Sequence, residues 1–317
     1  VTRSFIFGIH GFIGQRLAEY LLEMGHTVSG MARSVSSGFA KTCPAVPVIY
    51  GDILDRDKVS ICLRDFKPDY VFHLAAQSSP QLSWEKPELT FDVNVRGTLN
   101  ILDSVRYCGA SPVVEMFLSS SEYATGDSGK PIREDHPLDP SSPYGVSKIA
   151  AGQLSVLYGK RYGLRIVRVR PFFLIGPGKK DDVSSRFCRQ IAAVERGEAA
   201  VMKIGNLSVV RDFLDIRDGV EALWLAASKG EAGQVYNIAS GQPCSVEVLL
   251  QHYLAHAKVP VKTQSDPALF RALDEPYKVG DVARLKALGW QARYKLEETT
   301  RGILEYWRQC SLQESGA

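Results

Sequence analysis

Residues 4–14 read SFIFGIHGFIG. SFIF is a short apolar run of strand type, and GIHGFIG follows it with glycines at 8, 11 and 14. Beyond the turn, Leu17, Ala18, Leu21 and Leu22 recur at helical spacing, and Gly25 stands where a helix cap belongs. Strand, glycine turn, helix is the context in which a glycine motif carries information. Gly8 permits the tight turn, Gly11 lets a pyrophosphate approach the backbone, and Gly14 lets helix and strand pack closely. The helix start then presents free N–H groups and its positive dipole end to the phosphates. This stretch predicts a dinucleotide-binding unit in an α/β fold, a Rossmann-type doubly wound parallel sheet.

Outward from it, HTVSGMARS (26–34) reads as the second strand, with Arg33 and Ser34 just past its end. A dinucleotide fold that takes NAD places an acid there to hold the ribose 2′-OH. This chain has no acid in that place and offers an arginine, which suits a 2′-phosphate, so NADP(H) is expected over NAD(H). The plainer reading of Arg33 is a solvated loop residue. Residues 46–50 form a third strand ending in GDILD, where Asp52 is placed to approach the adenine edge or to cap a helix over 55–66. KPDYVFHLAA (67–76) is a fourth strand of the doubly covered kind. Its end in Ala75 and Ala76 leaves room for a ribose or nicotinamide. Residues 87–108 read as one long helix in which Asn94 bonds a neighbouring backbone or faces solvent.

The fifth strand (113–118) runs into Ser119, Ser120, Ser121 and Glu122. After a polar, proline-rich loop comes SSPYGVSK (141–148). Pro143 suits a first helical position and a preceding serine can cap the open N–H groups. Tyr144 and Lys148 then project from one helix face, a turn apart. An ammonium beside a phenol favours the phenolate and is expected to lower the tyrosine pKa from about 10. A bland alternative is one half-buried tyrosine and one solvated lysine.

Residues 165–170 alternate arginine with Ile or Val as a sixth strand, and Gly176-Pro177-Gly178 breaks the pattern. Further on, the reading gives a strand at 209–216, a helix at 218–228, a strand at 234–239 returning to the main sheet, and helices at 246–257 and 297–308. Residues 1–170 plus about 216–242 are expected to form the dinucleotide domain. About 171–215 plus 243–317 form a smaller, discontinuous α/β substrate domain.

A hydrophobic share of 45% and a charged share of 23% are those of a soluble globular chain, and +3 net charge argues against nucleic acid or an acidic membrane as partner. No apolar run approaches a bilayer span, and residues 1–8 do not read as a signal peptide. Six scattered cysteines without a CxxC pair point to reduced thiols, a cytoplasmic location and no metal site.

The glycine turn, the serines at the fifth strand end, and Tyr144 with Lys148 together resemble the extended short-chain dehydrogenase/reductases. GDILD from Gly51, HLAAQ from His73, NVRGTLN from Asn94, SSPYGVSK, and IGPG from Ile175 fall in that family's order over nearly the whole chain. The resemblance implies cofactor contacts from Gly8, Gly11, Phe12, Ile13, Gly14, Arg33, Ser34, Asp52, Ile53, Leu74, Ala75, Ala76, Tyr144, Lys148 and Pro171. It implies hydride transfer between nicotinamide C4 and a sugar carbon. Tyr144 would exchange the proton on the sugar oxygen, with Lys148 lowering its pKa and holding the nicotinamide ribose. Ser121, or Ser120 if the turn is one residue longer, would bond the same oxygen.

KIGNLSVVRDFLDIRD (203–218) is similar to the stretch in which the nucleotide-sugar branch presents an arginine to a diphosphate. Arg211 matches it, and Arg271 sits where relatives place a second. Gln77, Ser78, Ser79, Phe173 and Lys203 complete the implied substrate contacts. Two features depart from the pattern. Where relatives read RPFN this chain reads Arg170-Pro171-Phe172-Phe173, so an amide is missing, and a triple serine leaves its own register open. A 4,6-dehydratase needs a further acid and base near the serine, and only Glu122 is available, followed by Tyr123. The expectation is therefore NADPH-dependent reduction of a GDP-linked 4-keto-6-deoxy sugar. Alternatives are a 4,6-dehydratase or 4-epimerase of the same family and, in another class, a non-catalytic NAD(P) sensor. The family further implies a homodimer.

Overall fold

The computed structural model describes residues 1–126, 129–270 and 275–314. Its strands are β1 (Arg3–Phe7), β2 (Thr27–Ala32), β3 (Val48–Tyr50), β4 (Tyr70–His73), β5 (Val113–Phe117), β6 (Arg165–Pro171) and β7 (Phe173–Ile175). They continue with β8 (Met202–Ile204), β9 (Val210–Asp215), β10 (Val235–Ile238), β11 (Pro243–Ser245), β12 (Thr263–Ser265) and β13 (Tyr277–Lys278). The main sheet has seven strands in the order β10-β6-β5-β4-β1-β2-β3, all parallel. The chain winds outward from β1 to β3, then crosses back to build β4, β5 and β6 on the other side. The switch point lies between β1 and β4, and ligands of such sheets bind at the carboxyl ends beside it.

Side chains of β1 alternate between two cores because a strand has a period of two. Ile6 packs with Phe72, Val167, Leu17 and Leu223 on one face, while Phe5 and Phe7 pack with Val114, Leu63 and Ile101 on the other. Covered on both sides, β1 is buried from Ser4 to Phe7, and that produces its continuous apolar run. A smaller sheet runs β11-β9-β13, with β7 also paired to β9. Its core joins Ile175, Phe187, Leu249, Tyr253 and Leu304 beneath helices Val183–Glu195, Val246–Leu254 and Leu296–Glu314. Strands β8 and β12 form a separate two-stranded sheet.

The structure corrects the sequence reading in one helix that shapes the site. Residues 87–108 are not one α-helix but Pro87–Phe91, a π-turn over Asp92–Arg96, and Gly97–Arg106. The expanded turn carries Asn94, whose amide bonds the Gln77 backbone. Short helices at Ser37–Thr42 and Pro80–Glu85, and the longer Val183–Glu195, also went unread; Ser36, Ser79 and Asp182 cap them. Among the described residues no helix is long and apolar enough to cross a membrane.

Candidate active site

The glycine turn closes by geometry that a side chain would prevent. Gly8 has φ +85°, and a Cβ on Gly14 would lie 2.3 Å from the Gly8 carbonyl oxygen. Gly11 is the N-cap of helix Phe12–Glu23 and offers no side-chain cap, so the first N–H groups remain open to an anion. His10, inside the turn, bonds through Nδ1 to the Ser34 carbonyl at 2.7 Å, tying the turn to the end of β2, a link the sequence did not signal. Arg33 is exposed and makes no ion pair among the described residues. These features fit a dinucleotide with a charged adenosine ribose. Asp52 accepts from the Leu54 N–H at 3.0 Å, and Ile53 is buried against Gly97.

Arg33 shares a cavity of about 250 Å³ with Ala76, Gln77, Ser78, Ser79 and Leu82. The sequence reading set Gln77, Ser78 and Ser79 against the substrate, and in the fold they line this cavity together with Arg33. Gln77 is also engaged locally, donating from Nε2 to Thr90 Oγ1 at 2.9 Å, and Ser79 Oγ caps the Leu82 N–H at 3.1 Å. The π-turn causes this placement. Asn94 accepts the Gln77 N–H at 2.8 Å and donates to the Gln77 carbonyl at 3.0 Å and to Ser147 Oγ at 2.9 Å.

Helix Pro143–Tyr162 starts as read, with Pro143 in its first turn and Ser142 Oγ accepting from Gly145 N–H at 3.3 Å. Tyr144 and Lys148 share a face and are 7% and 5% exposed. Lys148 Nζ lies 5.9 Å from the Tyr144 ring centre and donates to the Phe117 carbonyl, at the end of β5, at 2.8 Å. Of the three serines, Ser119 is the one whose side chain draws the Tyr144 phenol down against the effect of burial. Extended backbone ends at Ser119, and residues 120–122 coil at once into a 3₁₀ turn, so the later serines leave the strand line. Ser120 and Ser121 make no side-chain hydrogen bond among the described residues, while the Ser121 carbonyl packs so closely on Gly145 that a Cβ there would sit 2.5 Å away.

The turn is locked from within. Glu122 is fully buried; one carboxylate oxygen accepts the Ser119 N–H at 3.0 Å and the other accepts from Arg170 Nε at 2.8 Å. Burial raises this carboxyl above its ordinary value, against the pull of the guanidinium.

The expected electrostatics of the pair are reversed. Burial pushes the Tyr144 phenol up to about 12, opposed by Ser119 and reinforced by the Glu122 charge. Lys148 does not offset this; its ammonium stands 5.9 Å from the ring centre and donates to the strand carbonyl. Burial also brings Lys148 down to about 8, with Glu122 opposing. His73, buried beside it and bonded to Thr98 Oγ1 at 2.9 Å, is pushed down to about 3 and stays neutral. At neutral pH the site therefore holds a protonated phenol next to a serine hydroxyl, an arrangement that can deliver a proton.

On the smaller sheet Arg211 is buried, donates to the Glu275 carbonyl at 2.7 Å, and lies 5.6 Å from the Phe173 ring centre. Lys278 is its ladder partner and pairs with the Glu275 carboxylate at 2.5 Å; neither residue was singled out from sequence. Pro171 ends β6, buried opposite Ile238. Lys203 is not gathered in, because it sits exposed on β8 and pairs with Asp266 at 3.2 Å. Arg271 lies outside the described residues. Among the described residues no cluster of His, Cys, Asp and Glu is arranged to hold a metal ion.

The chain is similar to known nucleotide-sugar enzymes. The family model for GDP-mannose 4,6 dehydratase matches residues 5–303. GDP-6-deoxy-D-mannose reductase of Pseudomonas aeruginosa is 34% identical over 309 residues, covering 96% of this chain and 97% of that protein. The solved structure of RMD from Pseudomonas aeruginosa complexed with NADPH superposes with a TM-score of 0.85 at 32% identity, covering 98% of this chain and 100% of that one. The Thermus thermophilus UDP-glucose 4-epimerase complex with NAD gives a TM-score of 0.87 at 28% identity over 97% of this chain and 99% of that one.

Proposed function

Because the chain belongs to the GDP-mannose 4,6-dehydratase family, we propose that it is an NADPH-dependent reductase of a 4-keto-6-deoxy nucleotide sugar, with GDP-4-dehydro-6-deoxy-D-mannose as the preferred substrate. One observation carries the reading: the Tyr144 phenol is buried at the serine turn, and the glutamate of that turn has both oxygens engaged. Removing water from a sugar needs a free acid and a free base, whereas reducing a ketone needs one proton.

The cofactor, when bound, supplies the hydride. Gly8, Gly11 and Gly14 with the following helix start would hold its pyrophosphate, and Arg33 its 2′-phosphate. Tyr144 gives its proton to the oxygen of the reduced carbonyl. A phenol at about 12 can do so because an alcoholate is a far stronger base than a phenolate. Ser121 would bond the sugar oxygen, its half-buried hydroxyl having no partner among the described residues, with the more deeply buried Ser120 as the alternative. Lys148 stabilises the phenolate that remains. Arg211 would clamp the diphosphate, so that the large sheet takes the cofactor and the smaller domain the nucleotide sugar. We further propose a homodimer in the cytoplasm. Exposed Trp84, Val146 and Leu157 on or beside the Tyr144 helix support self-association, and free thiols suit a reducing compartment.

The test is NADPH oxidation with GDP- and dTDP-linked 4-keto-6-deoxy sugars. The GDP compound is expected to react fastest, and Tyr144→Phe to lower kcat by about 100-fold or more while NADPH affinity is unchanged. Conversion of GDP-mannose without net NADPH consumption would instead make the protein a dehydratase.

A further inference from the structure

Arg170 is read from sequence as one of the arginines alternating along β6, and the chemistry above does not use it. It is almost wholly buried, at 6% side-chain exposure, against Glu122 at 1%. Its Nε donates to Glu122 and its Nη1 to the Glu134 carbonyl at 3.3 Å, while the guanidinium lies 4.7 Å from the Tyr123 ring centre. Tyr123 is anchored in turn, its hydroxyl donating to Asn237 Oδ1 at 2.7 Å. Glu122 passes this rigidity on, because its other oxygen takes the N–H of Ser119, in the turn whose Ser121 carbonyl packs on Gly145 beside Tyr144.

We propose that Arg170 is a positioning residue for the reduction: through Glu122 it seats the turn bearing Ser119 against Tyr144 and keeps one negative charge facing the Tyr144–Lys148 pair. The proposal rests on the reductase reading. A buried ion pair is a poor source of stability, since apolar pairs of similar volume commonly do as well or better. Its place beside the proposed reacting groups points to use of the charge. The titratable groups around Glu122 are Arg168 and Arg170 of β6, Tyr123 of the turn, Glu134 of the next loop, and Tyr144 and Lys148 of the helix, with His73 facing Lys148. A negative charge among them disfavours the phenolate and favours the ammonium. Removing it lets Tyr144 lose its proton at lower pH, so the proton donor fails earlier on the alkaline side.

The experiment compares the parent with Glu122→Gln, Arg170→Met and the double variant, which leaves no unpaired buried charge to unfold the protein. In the folded double variant kcat should fall about tenfold or more with KM little changed. The alkaline limb of the pH–rate profile should move down by about one pH unit. Tyrosinate absorbance, taken as the difference from the matching Tyr144→Phe protein, should move in the same direction without any turnover. An unmoved limb and an unmoved tyrosinate titration would overturn the proposal and leave Arg170 purely structural. If the parent consumes no NADPH with any sugar, the reductase reading falls, and the tyrosinate titration alone still decides the role of Arg170.

Discussion

Glu115 and Glu122 are the same residue type seven positions apart, and the fold treats them in opposite ways. Glu115 sits mid-strand in β5 with Phe72 and Val167 as ladder partners, 1% exposed and with neither oxygen bonded among the described residues. Burial raises its pKa well above the ordinary value. An acid raised in this way binds more protons folded than unfolded. Stability is therefore lost as pH rises from the unfolded carboxyl value of about 4.3 toward the raised one. Glu115→Met should stabilise the protein by about 1–3 kcal/mol, from relief of an unsatisfied polar group. The gain should be larger near pH 8 than near pH 5. Thermal melting at both values checks it, and a loss, or an equal gain at both, would contradict this account. Glu122 is raised by burial too, but Arg170 and the Ser119 N–H meet its two oxygens and oppose the shift. Neither outcome is legible in VVEMFLSSSE, since the partner that distinguishes them is 48 residues away.

At the scale of elements, the π-turn over Asp92–Arg96 sets where the loop after β4 runs. Asn94 takes both the N–H and the carbonyl of Gln77, replacing a strand partner just where the sheet ends. Asn94→Ala should cost about 1–3 kcal/mol for each buried backbone group left unpaired. It should also weaken NADPH binding, because residues 77–79 line the cavity that holds Arg33. Chemical denaturation and cofactor titration measure the two effects, and full retention of both would show that the loop is held elsewhere. A helical hydrophobic pattern cannot reveal this turn, since a single π-bulge leaves the apolar spacing on either side nearly intact. The amide inside the pattern was the one available signal, and the sequence left its partner open.

In the whole molecule the two proposed ligands would meet different bodies of structure, the cofactor the carboxyl edge of the main sheet and the nucleotide sugar the β7–β9–β13 side. Arg33→Ala should weaken NADPH and leave NADH nearly unchanged, while Arg211→Ala should weaken GDP-sugar binding and leave NADPH alone. Each loss should be about 1.5–3 kcal/mol by calorimetry. Equal losses for NADPH and NADH, or unaltered GDP-sugar affinity, would detach that arginine from its role. The strand, glycine turn and helix at residues 3–23, the parallel sheet, and Tyr144 with Lys148 on one helix face were all legible in the sequence. They depend on forces acting within a few residues: side-chain period, steric limits at glycine, and capping. Tertiary structure alone decided that Tyr144 and Lys148 are buried together, that Gln77 and Arg33 share a cavity, and that Arg170 holds Glu122. Each of these depends on burial and on partners distant in the chain. Water exclusion and charge pairing are properties of the assembled interior, and no local pattern encodes them.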